Sequence, residues 1–220
     1  MNIAFAIPYR RQGSDRQANL GAIIDWIAQH YPGAAISTTD SHHARFNLAA
    51  ARNAAVSHFH EADVIVICDA DVILDPAATS EAIEAASADS LIHLPYTRIR
   101  YLDPASTSRY LDGDEQGLTA QLDSTWSTGG AYVTTPSAWH AMHGQDERFT
   151  GWGYEDVALT IVHRTLHGQQ MPRHEGTALH LWHPSQPKQG DPRHDAGVLL
   201  YRLYEQADGD PQAIRALIEA

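Results

Sequence analysis

The sequence predicts an α/β fold in which helices flank a mixed, mostly parallel central sheet. Short apolar runs alternate with helical patterns from the N-terminus to residue 94, and a β-α-β-α-β-α-β order of this kind is typical of parallel sheets. The length of 220 residues suits one compact domain, and an apolar share of 43% is enough to build its core. We therefore expect a single domain over residues 1–220, with a helical C-terminal tail over residues 194–220.

The first half of the chain supplies most of the predicted sheet. Leucine and isoleucine recur at helical spacing within residues 15–29, after the first apolar run. Asp75 precedes Pro76, which is the usual arrangement of a cap and the first residue of a helix. The predicted strands cover residues 3–7, 35–39, 63–68 and 90–94, and the predicted helices cover residues 15–29, 46–59 and a segment that begins at Pro76.

The second half begins with a long segment that lacks clean periodicity. Residues 97–126 are rich in Asp, Ser, Thr and Gly, and we expect an irregular lid or acceptor-binding loop there. Regular patterns then return up to the C-terminus. The predicted elements are strands at 131–134 and 177–183, a short helix from Pro136, and helices at 155–167, 196–206 and 211–218.

The composition disfavours several classes of partner. A formal net charge of -12 argues against a nucleic-acid surface and against an anionic membrane surface. No apolar stretch has membrane-spanning length, and the N-terminus lacks the basic region of a signal peptide, so we expect a cytoplasmic protein. The single cysteine, Cys68, excludes an intrachain disulfide and lies in an apolar run that indicates a buried position.

Two carboxylates follow the most apolar predicted strand. Asp69 and Asp71 stand directly after residues 64–68, and residues 72–74 are again apolar. From the sequence of the two aspartates alone, a polar turn that ends the strand is as good an explanation as a functional site. The apolar surroundings, however, make the carboxylates costly unless something compensates their charge. At the carboxyl edge of an open α/β sheet, a divalent cation with a diphosphate would do so.

Two histidines near the end of the predicted sheet are candidate metal ligands. His180 and His183 flank Leu181-Trp182, and in a strand they would face opposite sides and need not share a ligand role. With 14 histidines in the chain, a structural pair is also easy to obtain by chance. An aspartate, a histidine and phosphate oxygens suit Mn²⁺ better than Mg²⁺. We favour His183 as the ligand, with His180 second.

A second acidic pair, Glu155 and Asp156, stands at the predicted start of a helix. Acidic residues there stabilise the helix dipole, which is a sufficient structural explanation. That explanation does not account for Gly151-Trp152-Gly153. Glycines on both sides of a tryptophan are typical of a mobile loop whose indole ring stacks on a sugar. A carboxylate beside such a loop can accept the proton of an attacking hydroxyl.

Three further positions have both a structural and a functional interpretation. Arg10 follows the first strand and is either a solvated basic residue or a partner for phosphate. Phe46 either lines a nucleobase or packs in the core. Gly129-Gly130 either forms a turn or lets the backbone approach a ligand closely.

In their order along the chain, these motifs resemble those of the GT-A glycosyltransferases. The likeness is greatest to the β-1,4-galactosyltransferase-like group and to chondroitin-polymerase-type domains, and it covers roughly residues 3 to 184. The matching segments are Ile7-Pro8-Tyr9-Arg10, Phe46-Asn47, Arg52-Asn53, Asp69-Ala70-Asp71, Gly129-Gly130, Asp146-Glu147-Arg148-Phe149-Thr150-Gly151-Trp152-Gly153-Tyr154-Glu155-Asp156 and His180-Leu181-Trp182-His183-Pro184. The resemblance implies a single Rossmann-like GT-A domain.

The resemblance also implies a role for each matching residue. The positions that resemble nucleotide contacts are Pro8, Arg10, Phe46 and Asp69; those that resemble metal ligands are Asp71 and His183; those that resemble sugar contacts are Gly130, Trp152 and Glu155; and Asp156 resembles the catalytic base. Two positions depart from the pattern. Leu48 stands where the galactosyltransferases have an Arg, and Tyr154 replaces a Gly.

The function predicted by these observations is metal-dependent, inverting transfer of a hexose or N-acetylhexosamine from a UDP-sugar to an acceptor hydroxyl. The resemblance implies Mn²⁺, with Mg²⁺ as a possible substitute, and a glycan, protein or small-molecule acceptor. Two alternatives stay open: a nucleotidyltransferase of similar fold, and a catalytically inactive carbohydrate-binding protein. The donor sugar could be Gal, GalNAc, Glc or GlcNAc.

Overall fold

A computed structural model of the protein describes residues 1–11, 13–151, 153–184 and 190–220. Its strands are β1 (Ile3–Pro8), β2 (Ala35–Thr39), β3 (Val64–Cys68), β4 (Val72–Ile73), β5 (Arg98–Leu102), β6 (Ala120–Ser124), β7 (Ala131–Thr134) and β8 (Thr177–His180). Its helices are α1 (Gly13–His30), α2 (Leu48–His58), α3 (Pro76–Ala88), α4 (Pro104–Leu111), α5 (Pro136–Ala141), α6 (Glu155–His167), α7 (Pro192–Ala207) and α8 (Pro211–Ile218). The strands form two four-stranded sheets, so the predicted α/β class is confirmed.

The first sheet has the strand order β2-β1-β3-β7. Strand β1 is parallel to both β2 and β3, whereas β7 is antiparallel to β3. Both faces of the central strands are covered: Phe5 and Ile7 pack into one apolar cluster, and Ala4 and Ala6 pack into another. Because central parallel strands are buried on both sides, β1 and β3 are continuous apolar runs rather than alternating ones.

The second sheet, with the order β4-β8-β5-β6, connects the middle of the chain to the segment before the C-terminal tail. Strand β5 is parallel to β8 and antiparallel to β6. The two-residue strand β4 pairs with β8, with Val72 opposite His180. A backbone bond from the Leu181 N–H to the Asp71 carbonyl continues this pairing at 2.7 Å. The second sheet therefore brings the two ends of the candidate metal site together.

Most of the predicted elements are present, and their boundaries follow the predicted caps. Asp75 accepts a hydrogen bond from the Ala78 N–H at the start of α3, and Pro76 is the first residue of that helix. Helix α6 has the predicted bounds and ends at Gly168 in the left-handed region. The phenylalanine predicted to begin the second helix lies outside it, because Asn47 caps α2 and the helix starts at Leu48.

The prediction of an irregular segment at 97–126 is wrong, because the segment contains β5, α4 and β6. Asp103 caps α4, and Arg98 forms an ion pair with Asp123 across β5 and β6. The strand predicted at 90–94 is reduced to two isolated bridges, from His93 to Val133 and from Leu94 to Arg173. The strand predicted over 177–183 ends at His180.

The C-terminal helices pack against the body of the domain through α6. Arg164 of α6 forms an ion pair with Asp208 beyond α7, and Arg148 donates to the Leu217 carbonyl of α8 at 2.6 Å. Within the described ranges, none of the helices combines the length and the apolar character needed to cross a bilayer.

Candidate active site

Asp71, His180 and His183 form a compact group where the turn between β3 and β4 meets the end of β8. One ligand atom from each residue can be chosen so that all three lie within 4.8 Å of one another. Nε2 of His183 lies 3.2 Å from Oδ2 of Asp71, and Nε2 of His180 lies 3.7 Å from Oδ1. In the part of the chain that the structure describes, this is the one group of three His, Cys, Asp or Glu residues with metal-binding spacing.

The end of strand β8 explains why both histidines reach Asp71. His180 is the last residue of the strand and lies opposite Val72, the residue after Asp71. His183 lies beyond the strand, so the alternation of side chains does not apply to it. The expectation that the two histidines face opposite sides is therefore wrong, and both rings are available to one cation.

The electrostatics of this group suit a divalent cation. Burial raises the pKa of the Asp71 carboxyl, but His180, His183 and Arg16 outweigh burial and hold that pKa at about 2. Burial lowers the pKa of His180, which favours its neutral, metal-binding form, whereas the hydrogen bond to Asp71 raises the pKa of His183 and favours a proton that a cation would have to displace. One ionised carboxylate and two imidazoles form a donor set that suits Mn²⁺ better than the oxygen-seeking Mg²⁺.

Arg16 is a residue of this site that the sequence did not single out. Its Nη2 lies 3.2 Å from Nδ1 of His183, and its Nη1 lies 3.8 Å from Oδ2 of Asp71. The position of Arg16 in the sequence was a usable signal. Helix α1 follows the first strand, so its early residues face the carboxyl edge of the sheet. The guanidinium is the cation nearest to the triad among the described residues.

Arg10 is engaged by protein acceptors. Its guanidinium chelates the Asp40 carboxylate at 2.8 and 2.9 Å and donates to the carbonyls of Ser41 and His43. It also lies over the ring of Phe46, 5.8 Å from the centroid. Arg10 and Phe46 are therefore in contact and shape the loop that follows β2, while buried Pro8 ends β1 at the same edge.

A buried arginine joins the two acidic motifs. Nη2 of Arg52 donates to both oxygens of Asp69, at 2.7 and 2.8 Å. Nη1 donates to Oδ1 of Asp156 at 2.6 Å and to Oε1 of Gln145 at 3.0 Å. The guanidinium also lies over the Tyr132 ring, 5.3 Å from its centroid. From the sequence, Arg52-Asn53 either lines a nucleobase or packs and caps, and neither interpretation included a bridge between the two acidic motifs.

The two oxygens of the Asp156 carboxylate have different surroundings. Oδ1 accepts from Arg52, from the Tyr132 hydroxyl at 2.5 Å and from the Gln145 amide at 3.0 Å. Oδ2 faces Gly129, where a Cβ atom would lie 2.0 Å from it. The Tyr96 hydroxyl donates to the Gly129 carbonyl and holds this backbone in place. A glycine at residue 129 is thus required by the position of the carboxylate.

Glu155 is buried beside Asp156, with 6% of its surface exposed. Among the described residues, its Oε2 has no hydrogen-bond partner. Burial raises the pKa of Glu155 to about 8, and the neighbouring charge of Asp156 adds to the shift. The raised pKa favours the protonated carboxyl, which can donate a hydrogen bond.

The backbone around the predicted sugar-contacting residues is unusual at two positions. Gly130 has a φ of +91°, and its carbonyl accepts from the Asp69 N–H at 2.8 Å. Tyr154 has a φ of 74°, which explains why a glycine suits this position in the resembling motif. Its ring stacks on Tyr201 of α7, 4.9 Å between centroids. Trp152 lies outside the described residues.

Comparison with known proteins supports this fold at low sequence identity. No protein-family model and no curated sequence matches the chain. A Drosophila β1,4-galactosyltransferase 7 mutant, solved with manganese, UDP-Gal and xylobiose, has a TM-score of 0.50 at 18% identity over 78% of this chain and 64% of that one. The catalytic domain of the Drosophila enzyme with xylobiose gives 0.53 at 19% identity, over 83% and 71% of the two chains.

GalNAc-T7, solved with UDP, GalNAc and Mn²⁺, has a TM-score of 0.57 at 10% identity and covers 98% of this chain and 54% of its own. The present chain covers 64% of the first galactosyltransferase structure, which is less than two thirds of its length. These similarities establish the architecture: the chain has the GT-A fold, as the sequence motifs predicted.

Proposed function

We propose that the protein is a metal-dependent, inverting glycosyltransferase that moves a hexose or N-acetylhexosamine from a UDP-sugar to an acceptor hydroxyl. The observation that carries the proposal is the single cluster that joins the two acidic motifs. Asp71, with its histidines, lies two residues from Asp69, and Arg52 links Asp69 directly to Asp156. One guanidinium therefore bonds both the candidate proton acceptor Asp156 and Asp69, which is two residues from the metal-binding group.

Asp71, His180 and His183 would hold the cation, which we propose is Mn²⁺. A divalent cation at this position neutralises the charge that develops on the departing diphosphate. Arg16 lies beside the same three residues and contributes a second, fixed positive charge toward the diphosphate. The manganese in the galactosyltransferase and GalNAc-T7 structures supports this choice of metal.

The nucleotide lies along the carboxyl edge of the first sheet in this proposal. Pro8, Phe46 and Asp69 line it, and Arg10 maintains the loop that contains Phe46. Asp69 retains acceptor capacity for a ribose hydroxyl, because a carboxylate has more lone pairs than the Arg52 fork uses. The UDP and UDP-Gal in the related structures support a uridine nucleotide as the donor.

Asp156 is the general base of the proposed transfer. It accepts the proton of the acceptor hydroxyl while the acceptor oxygen bonds to the anomeric carbon. The bond from that carbon to the diphosphate oxygen breaks, and UDP departs with the electron pair. Attack occurs on the face opposite to the leaving group, so the configuration inverts. The exposed fraction of the Asp156 side chain, 23%, leaves it accessible to the acceptor.

Gly130, Glu155 and Trp152 surround the donor sugar in this proposal. Gly130 would contact the sugar through its backbone, whose φ of +91° favours glycine at this position. Protonated Glu155 donates a hydrogen bond to a sugar oxygen, which would satisfy its unpaired carboxyl group. Trp152 retains the role that its glycine-flanked motif suggests, which is to cover the sugar and exclude water.

The direct test is UDP release from a panel of UDP-sugars, with Mn²⁺, with Mg²⁺ and after chelation. We expect release that requires Mn²⁺ and increases with a suitable acceptor, together with a product of inverted anomeric configuration. Asp71→Asn should abolish turnover, and Asp156→Asn should reduce it about 1000-fold to a small residual rate that can still be measured. Asp208→Asn, which removes a surface ion pair with Arg164, is the matched control and should retain it.

Each alternative function has its own outcome in this assay. Release of pyrophosphate from a nucleoside triphosphate would replace the proposal with a nucleotidyltransferase. Sugar binding without any turnover, unaffected by Mn²⁺, would indicate a carbohydrate-binding protein. Full activity in Asp156→Asn would reject the assignment of the base.

A further inference from the structure

We propose that Arg52 is a positioning residue that fixes the Asp156 carboxylate so that only Oδ2 faces the acceptor. The inference rests on the proposed function and extends it to a residue outside the metal and sugar sites. It is based on the shape of the guanidinium, its complete burial and the unequal hydrogen bonding of the two Asp156 oxygens.

The guanidinium connects two structural elements. Asp69 follows the central strand β3, and Asp156 lies in the first turn of α6. Nη2 holds Asp69 and Nη1 holds Asp156, at distances between 2.6 and 2.8 Å. Since the fork of an arginine is planar and rigid, these bonds set both the separation and the relative orientation of the two carboxylates.

Burial makes this connection difficult to replace. Arg52 is 0% exposed, and the carboxyl groups of Asp69, Glu155 and Asp156 surround it. Burial alone would lower the pKa of Arg52, yet Asp69 and Asp156 raise it well above its ordinary value, so the cation is permanent. Without it, two carboxylates would face each other in a poorly solvated site and would reorient toward water.

The bonds to Asp156 are confined to one oxygen. Arg52, Tyr132 and Gln145 all donate to Oδ1, and Oδ2 receives no hydrogen bond from the described residues. A proton taken from the acceptor must therefore arrive at Oδ2. Tyr132 and Gln145 support the same orientation, but only Arg52 also joins Asp156 to the nucleotide side of the site.

The experiment separates positioning from binding by measuring kcat, the donor KM and the Kd of UDP with Mn²⁺. Tyr132→Phe removes a donor to Asp156 and has no hydrogen bond to Asp69, so kcat should fall about tenfold at unchanged KM and Kd. Arg52→Lys keeps the charge but loses the fork, and kcat should fall about 100-fold. The controls are Tyr31→Phe and Arg164→Lys. In the wild type, the Tyr31 hydroxyl donates to the Pro76 carbonyl and Arg164 pairs with Asp208, so both variants should behave as wild type.

A double-mutant cycle tests whether the loss passes through Asp156. In the Asp156→Asn background, Arg52→Lys and Tyr132→Phe should each reduce the residual turnover by less than about twofold. An equal loss in both backgrounds would overturn the inference, and so would a rise in KM or Kd at constant kcat in Tyr132→Phe. If Arg52→Lys does not fold, as shown by its circular dichroism, Arg52→Gln, which keeps one amide donor for Asp156, takes its place in the same cycle. Absence of UDP release from the wild-type protein would instead reject the proposed function.

Discussion

The carboxylate of Asp156 lies directly over the backbone of Gly129, and a Cβ atom on residue 129 would fall 2.0 Å from its Oδ2. The oxygen concerned is the one that the proposed mechanism uses. The contact joins the loop before β7 to the first turn of α6, and Tyr96 holds the loop from the other side. A position where one methyl group would collide with a functional atom can be tested with small substitutions.

Gly129→Ala should reduce turnover about 100-fold or more, because the Asp156 carboxylate must move by about 1 Å to admit the methyl group. The affinity for UDP with Mn²⁺, measured by calorimetry, should stay within a factor of about three, since residue 129 does not touch the metal group. The measurement to compare is kcat at saturating donor.

Gly21→Ala is the matched control for that substitution. Gly21 lies in α1 with open space around it, and alanine there should raise the stability by up to about 1 kcal/mol. It should leave kcat unchanged. Retention of wild-type kcat in Gly129→Ala would show that Oδ2 of Asp156 is not the functional atom.

Loss of either histidine of the metal group should weaken Mn²⁺ binding. His180→Ala and His183→Ala should each lower the affinity for Mn²⁺ in the presence of UDP at least about 100-fold, because a direct ligand contributes more than an outer-shell partner does. Electron paramagnetic resonance of free Mn²⁺ gives the affinity without any activity assay. His60→Ala, on an exposed turn, is the control.

The two histidine variants also decide between the ligands. Equal losses would agree with a triad in which both rings contact the cation. A loss of Mn²⁺ affinity in His183→Ala alone would mean that His183, the ligand that the motif favoured, binds the cation without His180. Unchanged affinity in both variants would show that Mn²⁺ does not bind at this group.

Arg16→Gln should have opposite effects on the metal and on the nucleotide. The guanidinium lies 3.8 Å from Oδ2 of Asp71 and repels a second cation there, so its removal should tighten binding of Mn²⁺ alone about threefold. In the presence of saturating Mn²⁺, the Kd of UDP should rise about tenfold, because the fixed charge that faces the diphosphate is lost. Calorimetric titrations of Mn²⁺ and of UDP measure the two effects separately.

Weaker binding of both ligands in Arg16→Gln would indicate that Arg16 only maintains the fold of the site. Arg16→Lys should recover part of the UDP affinity, since it restores the charge without the planar fork. Failure of lysine to restore any UDP affinity would contradict an electrostatic role.

Glu155→Gln should change the pH dependence of stability. The unfolded carboxyl loses its proton near its ordinary pKa of 4.5, whereas the folded one retains it up to about 8. The folded state therefore binds more protons in this range, and the stability of the wild type falls as pH rises through it. Glutamine cannot ionise and so removes this penalty. The free energy of unfolding of the variant should equal that of the wild type near pH 4 and exceed it above pH 8 by roughly a few kcal/mol.

Urea denaturation between pH 4 and pH 9, at roughly unit intervals, measures that difference. Glu84→Gln, on an exposed part of α3, should differ from the wild type by less than about 0.5 kcal/mol throughout. A constant difference between Glu155→Gln and the wild type at all pH values would mean that the carboxyl ionises normally in the folded protein.

The sequence by itself determined the elements whose signals are local. The apolar run of β3, the Asp75-Pro76 start of α3 and the Gly168 end of α6 depend on neighbouring residues, and the structure has them where the patterns predicted. The same holds for the order of the acidic and histidine motifs, which predicted the GT-A fold. Caps, proline and apolar periodicity act over a few residues, so they can be read without knowledge of packing.

The tertiary structure alone decided how distant residues meet. His183 reaches Asp71 because β8 ends at His180 and pairs with β4, a two-residue strand that has no local signal. The segment 97–126 is ordered because β5 finds its partner in β8, which lies far along the chain. Arg52 joins Asp69 to Asp156 only when α2, β3 and α6 are packed. Contacts of this kind depend on the geometry of the whole domain, which no local pattern encodes.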